Sequence, residues 1–317
     1  MEQKSLAGKI ALVAGATRGA GRGIACALGD AGATVYCTGR SIRGSPATKG
    51  RPETIEETAE MVTARGGLGI PIQTDHTQPE QVKALCDRIR TQHSGLDILV
   101  NDIWGGDELT EFGKTFWTVS LDKGLLMLER AVHSHIITSH FAAPLMFDRG
   151  PGLIVEITDG YSFHYRLNIF YDLVKTTVIR LAFIMSFELR KRNIAALALT
   201  PGFLRSEAML DHFGVTAEDW REAGKEDPNF LASESPLYVG RAVVALASDP
   251  QVSTKNGRVF SSWDLAEEYG FTDADGSQPN WSRHFEQQYG AKYGKCDEAF
   301  YAYWRNGPGE IAFPDWP

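Results

Sequence analysis

The hydrophobic residues of this chain follow two alternating patterns. Short runs rich in β-branched residues are separated by longer segments whose hydrophobic residues recur with the period of a helix. This alternation is typical of a parallel sheet with helices on its faces. It predicts an α/β fold, a Rossmann-type doubly wound parallel sheet of seven strands. The predicted strands are residues 10–14, 34–38, 69–74, 98–101, 153–158, 194–199 and 258–261.

Helices are predicted between these strands. Gly32 marks the end of the first helix, and Thr54-Ile55-Glu56-Glu57 forms a capping box at the start of the second. The predicted helices are residues 22–31, a helix that begins at the capping box, and residues 78–92, 121–147, 170–192 and 236–247.

The chain is predicted to form one domain with an extension. Residues 1–262 form the Rossmann-fold domain, and within it residues 206–234 follow a strand end and form a short helical lid over the substrate. Residues 263–317 are rich in Trp, Tyr and Phe, have little periodicity and lie beyond the last strand. We expect them to pack on the same domain as a C-terminal extension.

The composition narrows the class of protein. Of the 317 residues, 43% are hydrophobic and 23% charged, as in folded globular proteins. The net charge of -8 argues against a nucleic-acid partner. Four widely spaced cysteines predict neither disulfides nor a metal site. The N-terminus is short and polar, and no hydrophobic run reaches the roughly 18 residues of a membrane helix, so we expect a cytoplasmic protein with no membrane partner.

A glycine-rich turn follows the first strand and leads straight into a helix. Its backbone amides and the helix N-terminus can hold a pyrophosphate, because glycines carry no Cβ that would keep the phosphates away from the backbone. A tight turn without a ligand is the alternative, but the strand-turn-helix context is the one that such a motif requires. The turn consists of Gly15, Ala16, Thr17, Arg18, Gly19, Ala20 and Gly21.

The end of the second strand distinguishes between the two nicotinamide cofactors. An acidic residue there would bind the ribose hydroxyls and repel a 2′-phosphate, but this chain has Arg40 and Ser41. Arg40 can stack on adenine and pair with the phosphate, Ser41 can donate to it, and Arg18 adds a second cation. A solvated loop arginine is the alternative interpretation. The pattern predicts NADP(H).

Tyr171 and Lys175 have the Y-x-x-x-K spacing, which places both on one face of a helix, one turn apart. A phenol has an ordinary pKa of about 10, and a neighbouring ammonium favours the phenolate and lowers that pKa. The pair is therefore suited to acid-base catalysis near neutral pH. The alternative is a core tyrosine beside a snorkelling lysine. The position of the pair, on the helix after the fifth strand, favours the catalytic interpretation.

These motifs resemble the short-chain dehydrogenase/reductase superfamily, whose glycine turn has the G-x-x-x-G-x-G spacing found here. Stretches such as residues 34–40, 152–155, 244–250 and 264–266 are most similar to the dehydrogenase/reductase member one branch. The resemblance implies NADPH-dependent carbonyl reduction, with Tyr171 as acid-base, and a homodimer or homotetramer that pairs through helices 121–147 and 170–192. It also assigns residues to the cofactor site: Asp75 at the adenine amino group, His76 beside it, Asn101 as a strand-supporting residue, and Pro201, Gly202 and Ser206 at the nicotinamide carboxamide. Lys175 would contact the nicotinamide ribose.

Two positions depart from the family pattern. Where the family has a catalytic Ser, this chain has Asp159 or, by ungapped counting, Thr158; where it has an Asn, this chain has Ala131. An ionised Asp159 accepts hydrogen bonds only, and it would raise the pKa of a neighbouring tyrosine. Three outcomes follow: a protonated Asp159 that donates, a Thr158 that supplies the hydroxyl, or a cationic substrate such as an iminium. We hypothesise that Asp159 contacts the substrate.

Several other residues have less specific interpretations. His133, His135 and His140 lie on one long predicted helix, and a subunit interface or a solvated face is favoured over a metal site. A group of aromatic and other side chains follows strand ends, where α/β sheets bind ligands, and each residue singly is also suited to packing. The group consists of Trp104, Trp117, Tyr161, His164, Phe203 and Met209.

The sequence thus predicts an enzyme that transfers hydride between NADP(H) and a carbonyl or alcohol. Two alternatives remain open. The loss of the Ser and Asn is also compatible with a catalytically weak NADP(H)-binding sensor or scaffold. A reductase of C=N or C=C bonds would differ in its substrate only.

Overall fold

The computed structural model describes residues 4–290, 293–294 and 296–306, so the ends of the predicted domain and extension, at residues 1–3 and 307–317, lie outside it. Its sheet has seven strands in the order β3-β2-β1-β4-β5-β6-β7, and every pair is parallel. The predicted doubly wound sheet is confirmed. The strands are β1 (Ile10–Ala14), β2 (Thr34–Gly39), β3 (Leu68–Gln73), β4 (Ile98–Asn101), β5 (Gly152–Ile157), β6 (Ile194–Thr200) and β7 (Val259–Ser261).

Burial explains why the strands could be located from sequence to within a residue or so. Every residue of β1, β4, β5 and β6 is buried, which is the reason for their hydrophobic runs, interrupted within β5 by Glu156. The edge strand β3 has exposed and partly buried residues, and Leu68 keeps 49% of its surface accessible. The parallel arrangement brings the carboxyl ends of all strands to one edge of the sheet, where ligands bind in such folds.

Helices cover both faces of the sheet. Contacts group α1, α2 and α8 on one face, while α3 packs against α5 and α4 against α6 on the other. These helices are α1 (Gly19–Asp30), α2 (Ile55–Ala64), α3 (Pro79–His93), α4 (Leu121–Leu128), α5 (Ser134–Ala142), α6 (Ile169–Glu188) and α8 (Pro236–Ser248). The predicted lid contains α7 (Glu207–Phe213) and two 3-10 turns, Trp220–Lys225 and Pro228–Ala232.

Three helix boundaries differ from the prediction for local reasons. Helix α1 begins at Gly19, three residues early, because the glycine turn feeds directly into it. The predicted helix 121–147 is continuous but has a π turn at Glu129–His133 and a final 3-10 turn at Ala143–Met146. Pro144 lacks the amide that an α-helix would need there. Helix α6 ends at Glu188 and is followed by the 3-10 turn Arg190–Arg192.

The extension is more helical than its weak periodicity indicated. It contains α9 (Ser262–Tyr269), α10 (Trp281–Tyr289) and α11 (Glu298–Asn306), and the side chains of Ser261 and Asn280 cap the first two. The Val259 amide of β7 donates to the Tyr301 hydroxyl of α11 at 3.1 Å, so the described part of the extension packs on the sheet edge. In the part of the chain that the structure describes, no helix is both long and apolar enough to cross a membrane.

Candidate active site

The glycine turn leaves no room for side chains. Gly15 has a φ of +93°, and a Cβ on it would lie 2.3 Å from the Asp102 carbonyl oxygen. A Cβ on Gly21 would lie 2.3 Å from the Gly15 carbonyl oxygen and 2.9 Å from Asp102 Oδ2. The backbone of β1, the turn and the start of α1 are therefore packed as closely as the pyrophosphate site requires.

The cations predicted for the 2′-phosphate lie on loops that meet at this turn. A Cβ on Gly39 would be 2.6 Å from Thr17 Oγ1, so the end of β2 touches the glycine turn. Arg18 donates to Thr48 Oγ1 at 3.0 Å, whereas the Arg40 guanidinium makes no hydrogen bond to any residue that the structure describes. Ser41 is buried, and its hydroxyl accepts the Ala47 amide at 3.0 Å, although its proton stays available to a ligand.

Two of the residues assigned to the adenine and strand positions are buried within the protein. His76 is 3% exposed, and its ring lies between Thr38 Oγ1 at 2.9 Å and Thr138 Oγ1 at 2.8 Å. The ring therefore belongs to the core, which leaves only the backbone of His76 for the predicted cofactor contact. Asn101 is fully buried and donates to Ser139 Oγ and Glu156 Oε1, which supports the predicted strand-stabilising role.

Asp75 caps its own turn. Its Oδ1 accepts from the amide and the hydroxyl of Thr77, at 3.0 and 2.8 Å. The residue is partly exposed after β3, so that its other carboxylate oxygen can still accept a hydrogen bond, as an adenine contact requires.

Asp102, which the sequence analysis did not single out, connects the glycine turn to the reacting centre. Its amide donates to Ala14 O at 2.9 Å, and its carboxylate accepts the Gly21 amide and interacts electrostatically with the Lys175 ammonium. Burial raises the pKa of Asp102 to about 7, while Lys175 and the Gly21 amide act in the opposite direction. The signal that could have identified it is a carboxylate directly after Asn101, at the carboxyl end of a buried strand.

Tyr171 and Asp159 are in direct contact. The Tyr171 hydroxyl donates to Asp159 Oδ2 at 2.8 Å. The Asn168 side chain caps α6 by accepting the Phe170 and Tyr171 amides, which fixes the tyrosine on the first turn of the helix. Burial and then Asp159 raise the pKa of Tyr171 well above its ordinary value. The direction is the one expected for a phenol beside a carboxylate.

Thr158 points elsewhere. It is 2% exposed, and its hydroxyl donates to the Lys175 carbonyl oxygen at 2.8 Å, on the inner side of α6. Of the two residues that the sequence left open at the Ser position, only Asp159 reaches the Tyr171 hydroxyl.

The Lys175 ammonium lies among aromatic rings and carboxylates. Its Nζ is 4.4 Å from the centroid of the Trp104 ring and 5.5 Å from that of Tyr171. Burial lowers the pKa of Lys175, and the carboxylates of Asp159, Asp102 and Asp107 oppose that effect in this order. Arg166 acts to lower the pKa of Tyr171, but burial and the Asp159 carboxylate outweigh it in this structure.

A buried arginine organises the loop between β5 and α6. Arg166 is 5% exposed and donates to the carbonyl oxygens of Asp159 and Ser162 at 2.7 Å each, and to Asp172 Oδ1 at 3.1 Å. The next residue, Leu167, has a φ of +63°, which is rare for a branched side chain and marks a held conformation beside the site. Nothing in the local sequence of this loop indicated that role.

The π turn at Glu129–His133 coincides with Ala131, the predicted counterpart of the family's Asn. π turns are frequent at functional sites. The interpretation of all three histidines as interface or solvated residues is wrong for His135, which is 2% exposed. Its Nδ1 lies 2.5 Å from Glu156 Oε2 and its Nε2 lies 3.0 Å from Ile103 O, so it braces the loop after β4. His133 and His140 are exposed.

The predicted nicotinamide segment begins at the end of β6. The Gly202 amide donates to the buried Glu234 Oε2 at 2.9 Å, and Ser206 caps α7 by accepting the Met209 amide. The next residue, Glu207, crosses to the glycine turn, where its Oε2 accepts the Gly19 amide at 2.7 Å. The Glu207 carboxylate is thus hydrogen-bonded to one of the turn amides that could bind an anion.

The predicted pocket residues are divided among four places. Trp104 contacts Tyr171 edge-on, with ring centroids 5.5 Å apart. Tyr161 and His164 contact Tyr293 of the extension, whereas Phe203 and Met209 pack in the lid. Trp117 is 71% exposed and stacks only on Phe116. Among the described residues no group of three His, Cys, Asp or Glu side chains could hold a metal ion.

Sequence comparisons identify the family. The family profile described as short chain dehydrogenase matches residues 9–213. The chain is 36% identical over 275 residues to the mouse protein "Dehydrogenase/reductase SDR family member 1", covering 85% of this chain and 84% of that protein. The human protein of the same name is 33% identical over 279 residues, with the same coverage.

A solved structure shows the same fold. The crystal structure of a short-chain dehydrogenase from Mycobacterium thermoresistibile superimposes with a TM-score of 0.72, at 23% identity, over 92% of this chain and 95% of the other.

Proposed function

This chain belongs to the short-chain dehydrogenase family, and we propose that it is an NADP(H)-dependent oxidoreductase that transfers hydride between nicotinamide and a carbonyl or alcohol substrate. The observation that carries the proposal is the continuity of the site. Asp102 contacts the glycine turn and interacts electrostatically with Lys175, whose Nζ lies 5.5 Å from the centroid of the Tyr171 ring, so the phosphate cradle and the reacting centre adjoin.

The residues present fit the cofactor. The glycine cradle would be filled by any Cβ, and the Glu207 carboxylate at the Gly19 amide shows that the turn accepts an anion. When bound, the nicotinamide would donate or accept the hydride. The residues assigned to hold the cofactor are Gly15, Thr17, Gly19, Ala20, Gly21, Asp75, Asn101, Lys175, Pro201, Gly202 and Ser206, with Arg18, Arg40 and Ser41 at the 2′-phosphate.

The proton chemistry is assigned to Tyr171. In the reductive direction its hydroxyl gives a proton to the developing alkoxide, and Lys175 stabilises the phenolate that remains. In the absence of substrate, the Tyr171 hydroxyl donates this proton in a hydrogen bond to Asp159. A substrate oxygen must therefore compete with Asp159 for it, which makes Asp159 part of the catalytic group.

The test is an NADPH titration followed by a turnover screen against aldehydes, ketones, quinones and imines. We expect NADPH to bind more tightly than NADH. Tyr171→Phe should keep that affinity and lose about 100-fold or more of kcat/KM, the usual contribution of a general acid. A chain that binds NADPH and turns over none of these substrates would be the sensor or scaffold instead. Absence of nucleotide binding would refute the proposal.

We further propose a homodimer or homotetramer formed through α4 and α6. Leu121 and Leu125 on α4 and Leu173 and Ile184 on α6 are each at least 39% exposed. Exposed apolar side chains on neighbouring helices are typical of subunit interfaces. Light scattering would report a multiple of the 34.9 kDa chain mass, and Leu125→Glu should shift it toward the monomer.

A further inference from the structure

At the reacting centre a carboxylate, Asp159, stands where hydride transfer to a neutral carbonyl calls for a hydrogen-bond donor. Asp159, Asp102 and Asp107 all act on the single ammonium of Lys175. Arg166 offsets part of this charge, but its N–H groups are directed at the Asp159 carbonyl oxygen and at the Asp172 carboxylate, not at the Asp159 carboxylate. The Asp159 carboxylate, which accepts the Tyr171 hydroxyl, is therefore the charge that an entering substrate meets.

This charge opposes the reduction of a ketone. A ketone becomes an alkoxide as hydride is added, and an anion beside a carboxylate is disfavoured. The family's Ser would donate a hydrogen bond to that oxygen, whereas an ionised carboxylate accepts only. The Tyr171 proton, which would neutralise the alkoxide, is already shared with Asp159.

The aromatic walls of the same space favour a cation. Trp104 and Phe112 contact the Tyr171 ring edge-on, with centroids 5.5 and 5.6 Å away, and Phe112 keeps 59% of its surface exposed. Aromatic faces attract ammonium and related cations, as Lys175 over Trp104 already shows. Trp104 Nε1 also donates to Asp107 at 2.5 Å, which holds that carboxylate at the rim.

We propose that the substrate carries a cationic nitrogen on or next to the reacting carbon, and that Asp159 is the residue that selects it. This inference rests on the proposed function and names its substrate class. An iminium takes the hydride and its two electrons at carbon, and the C=N π pair becomes the nitrogen lone pair. That step needs no proton from Tyr171. An α-ammonium ketone still takes the Tyr171 proton on oxygen, while its ammonium pairs with Asp159.

Binding tests the proposal without turnover. Protein saturated with NADP+ is titrated calorimetrically with cyclopentylamine, which is a cation at pH 7, and with cyclopentanol, which has nearly the same shape. We expect the amine to bind at least about tenfold more tightly, a factor that corresponds to about 1.4 kcal/mol. Asp159→Asn should abolish the difference. Asp87→Asn, which removes an exposed carboxylate on α3, should preserve it.

Turnover distinguishes the two sources of the positive charge. With NADPH, 1-pyrroline presents an iminium, aminoacetone presents an ammonium beside a ketone, and cyclopentanone and butanone are their neutral counterparts. We expect a higher kcat/KM for the nitrogen member of at least one pair. Asp159→Ser, which restores the family residue and a smaller side chain, should reverse that preference and also serves if Asp159→Asn fails to fold.

The outcomes separate the two proposals. If NADP(H) does not bind, the proposed function fails. If NADP(H) binds but the amine and the alcohol have equal affinity, or neither binds, only the substrate class is overturned. A preference that persists in both Asp159 variants overturns the role of that residue.

Discussion

The contact between Glu207 and the glycine turn leads to a prediction about cofactor affinity. Glu207 lies on the first turn of α7, and its carboxylate accepts the Gly19 amide at 2.7 Å, with Arg22 Nε 3.7 Å from its other oxygen. Both groups are suited to an anionic ligand, since the start of α1 carries the positive end of the helix dipole. The cofactor pyrophosphate and Glu207 cannot occupy the same amide, so binding must displace the carboxylate.

The size of the effect follows from that hydrogen bond. A hydrogen bond to a charged group contributes about 1.5–3 kcal/mol. Glu207 keeps 26% of its side chain accessible, so the lower end applies. Glu207→Gln keeps the size of the side chain but removes its charge and weakens its competition for the amide. We expect the Kd for NADPH to fall about fivefold to tenfold, as about 1–1.4 kcal/mol implies.

The assay is a titration followed by NADPH fluorescence, with Glu57→Gln as the matched control. Glu57 forms an ion pair with the same arginine, Arg22, at 2.7 Å, but it does not contact Gly19. Glu57→Gln therefore tests whether the loss of a negative charge near α1 is enough to change the affinity for NADPH. Equal Kd values for Glu207→Gln and the wild type, or an equal gain in Glu57→Gln, would refute the reasoning. Weaker binding by Glu207→Gln would show instead that the carboxylate helps to hold the cofactor.

Three further predictions follow from single contacts. Arg40→Asp puts a carboxylate at the end of β2, where it repels a 2′-phosphate and accepts ribose hydroxyls, so the preference for NADPH over NADH in paired titrations should fall about tenfold or more. Thr158→Val removes the buried hydrogen bond to the Lys175 carbonyl, and chemical denaturation should show a loss of about 1 kcal/mol in unfolding free energy with an unchanged kcat; a collapse of kcat would contradict the structural role. Burial lowers the pKa of His76 to about 3, below its ordinary 6.5, so the unfolded chain binds a proton that the folded one rejects. The unfolding free energy contributed by His76 is present above pH 6.5 and is lost as the pH falls, by about 2 kcal/mol between pH 7 and 5. His76→Gln should remove that part of the pH dependence. An equal change of unfolding free energy with pH in the variant and the wild type would contradict this role of His76.

The features that could be predicted from sequence are those that a few consecutive residues determine. Fully buried strands need unbroken hydrophobic runs, and the glycine turn needs small residues at fixed spacing, so both are visible in a few consecutive residues. Tyr171 and Lys175 lie one helical turn apart, and their common face followed from spacing alone. Asp159 and Tyr171 are only 12 positions apart, but the loop that joins β5 to α6 lies between them, so their contact did not follow from spacing.

The contacts that could not be predicted join distant parts of the chain. Glu207 contacts Gly19, which lies 188 positions away in the chain. Glu156 on β5 contacts His135 on α5, which lies 21 positions away. A glutamate in the middle of β5 contradicts the hydrophobic pattern unless a partner is known, and that partner lies on α5. The fold alone decides which buried polar groups are paired, because each must find its hydrogen bond in three dimensions.

Arg166 explains how the chain accommodates a carboxylate where its family has a hydroxyl. An ionised Asp159 close to Tyr171 and in a partly buried cleft would be costly without a compensating charge. Lys175 supplies one positive charge, but the carboxylates of Asp102 and Asp107 also interact with it. The Arg166 guanidinium lies behind the Asp159 backbone and is fixed by the carbonyl oxygens of Asp159, Ser162 and His164, so its charge stays close to residue 159 without blocking the carboxylate. The carboxylate is thereby left free to accept from Tyr171 and to meet whatever enters the cleft.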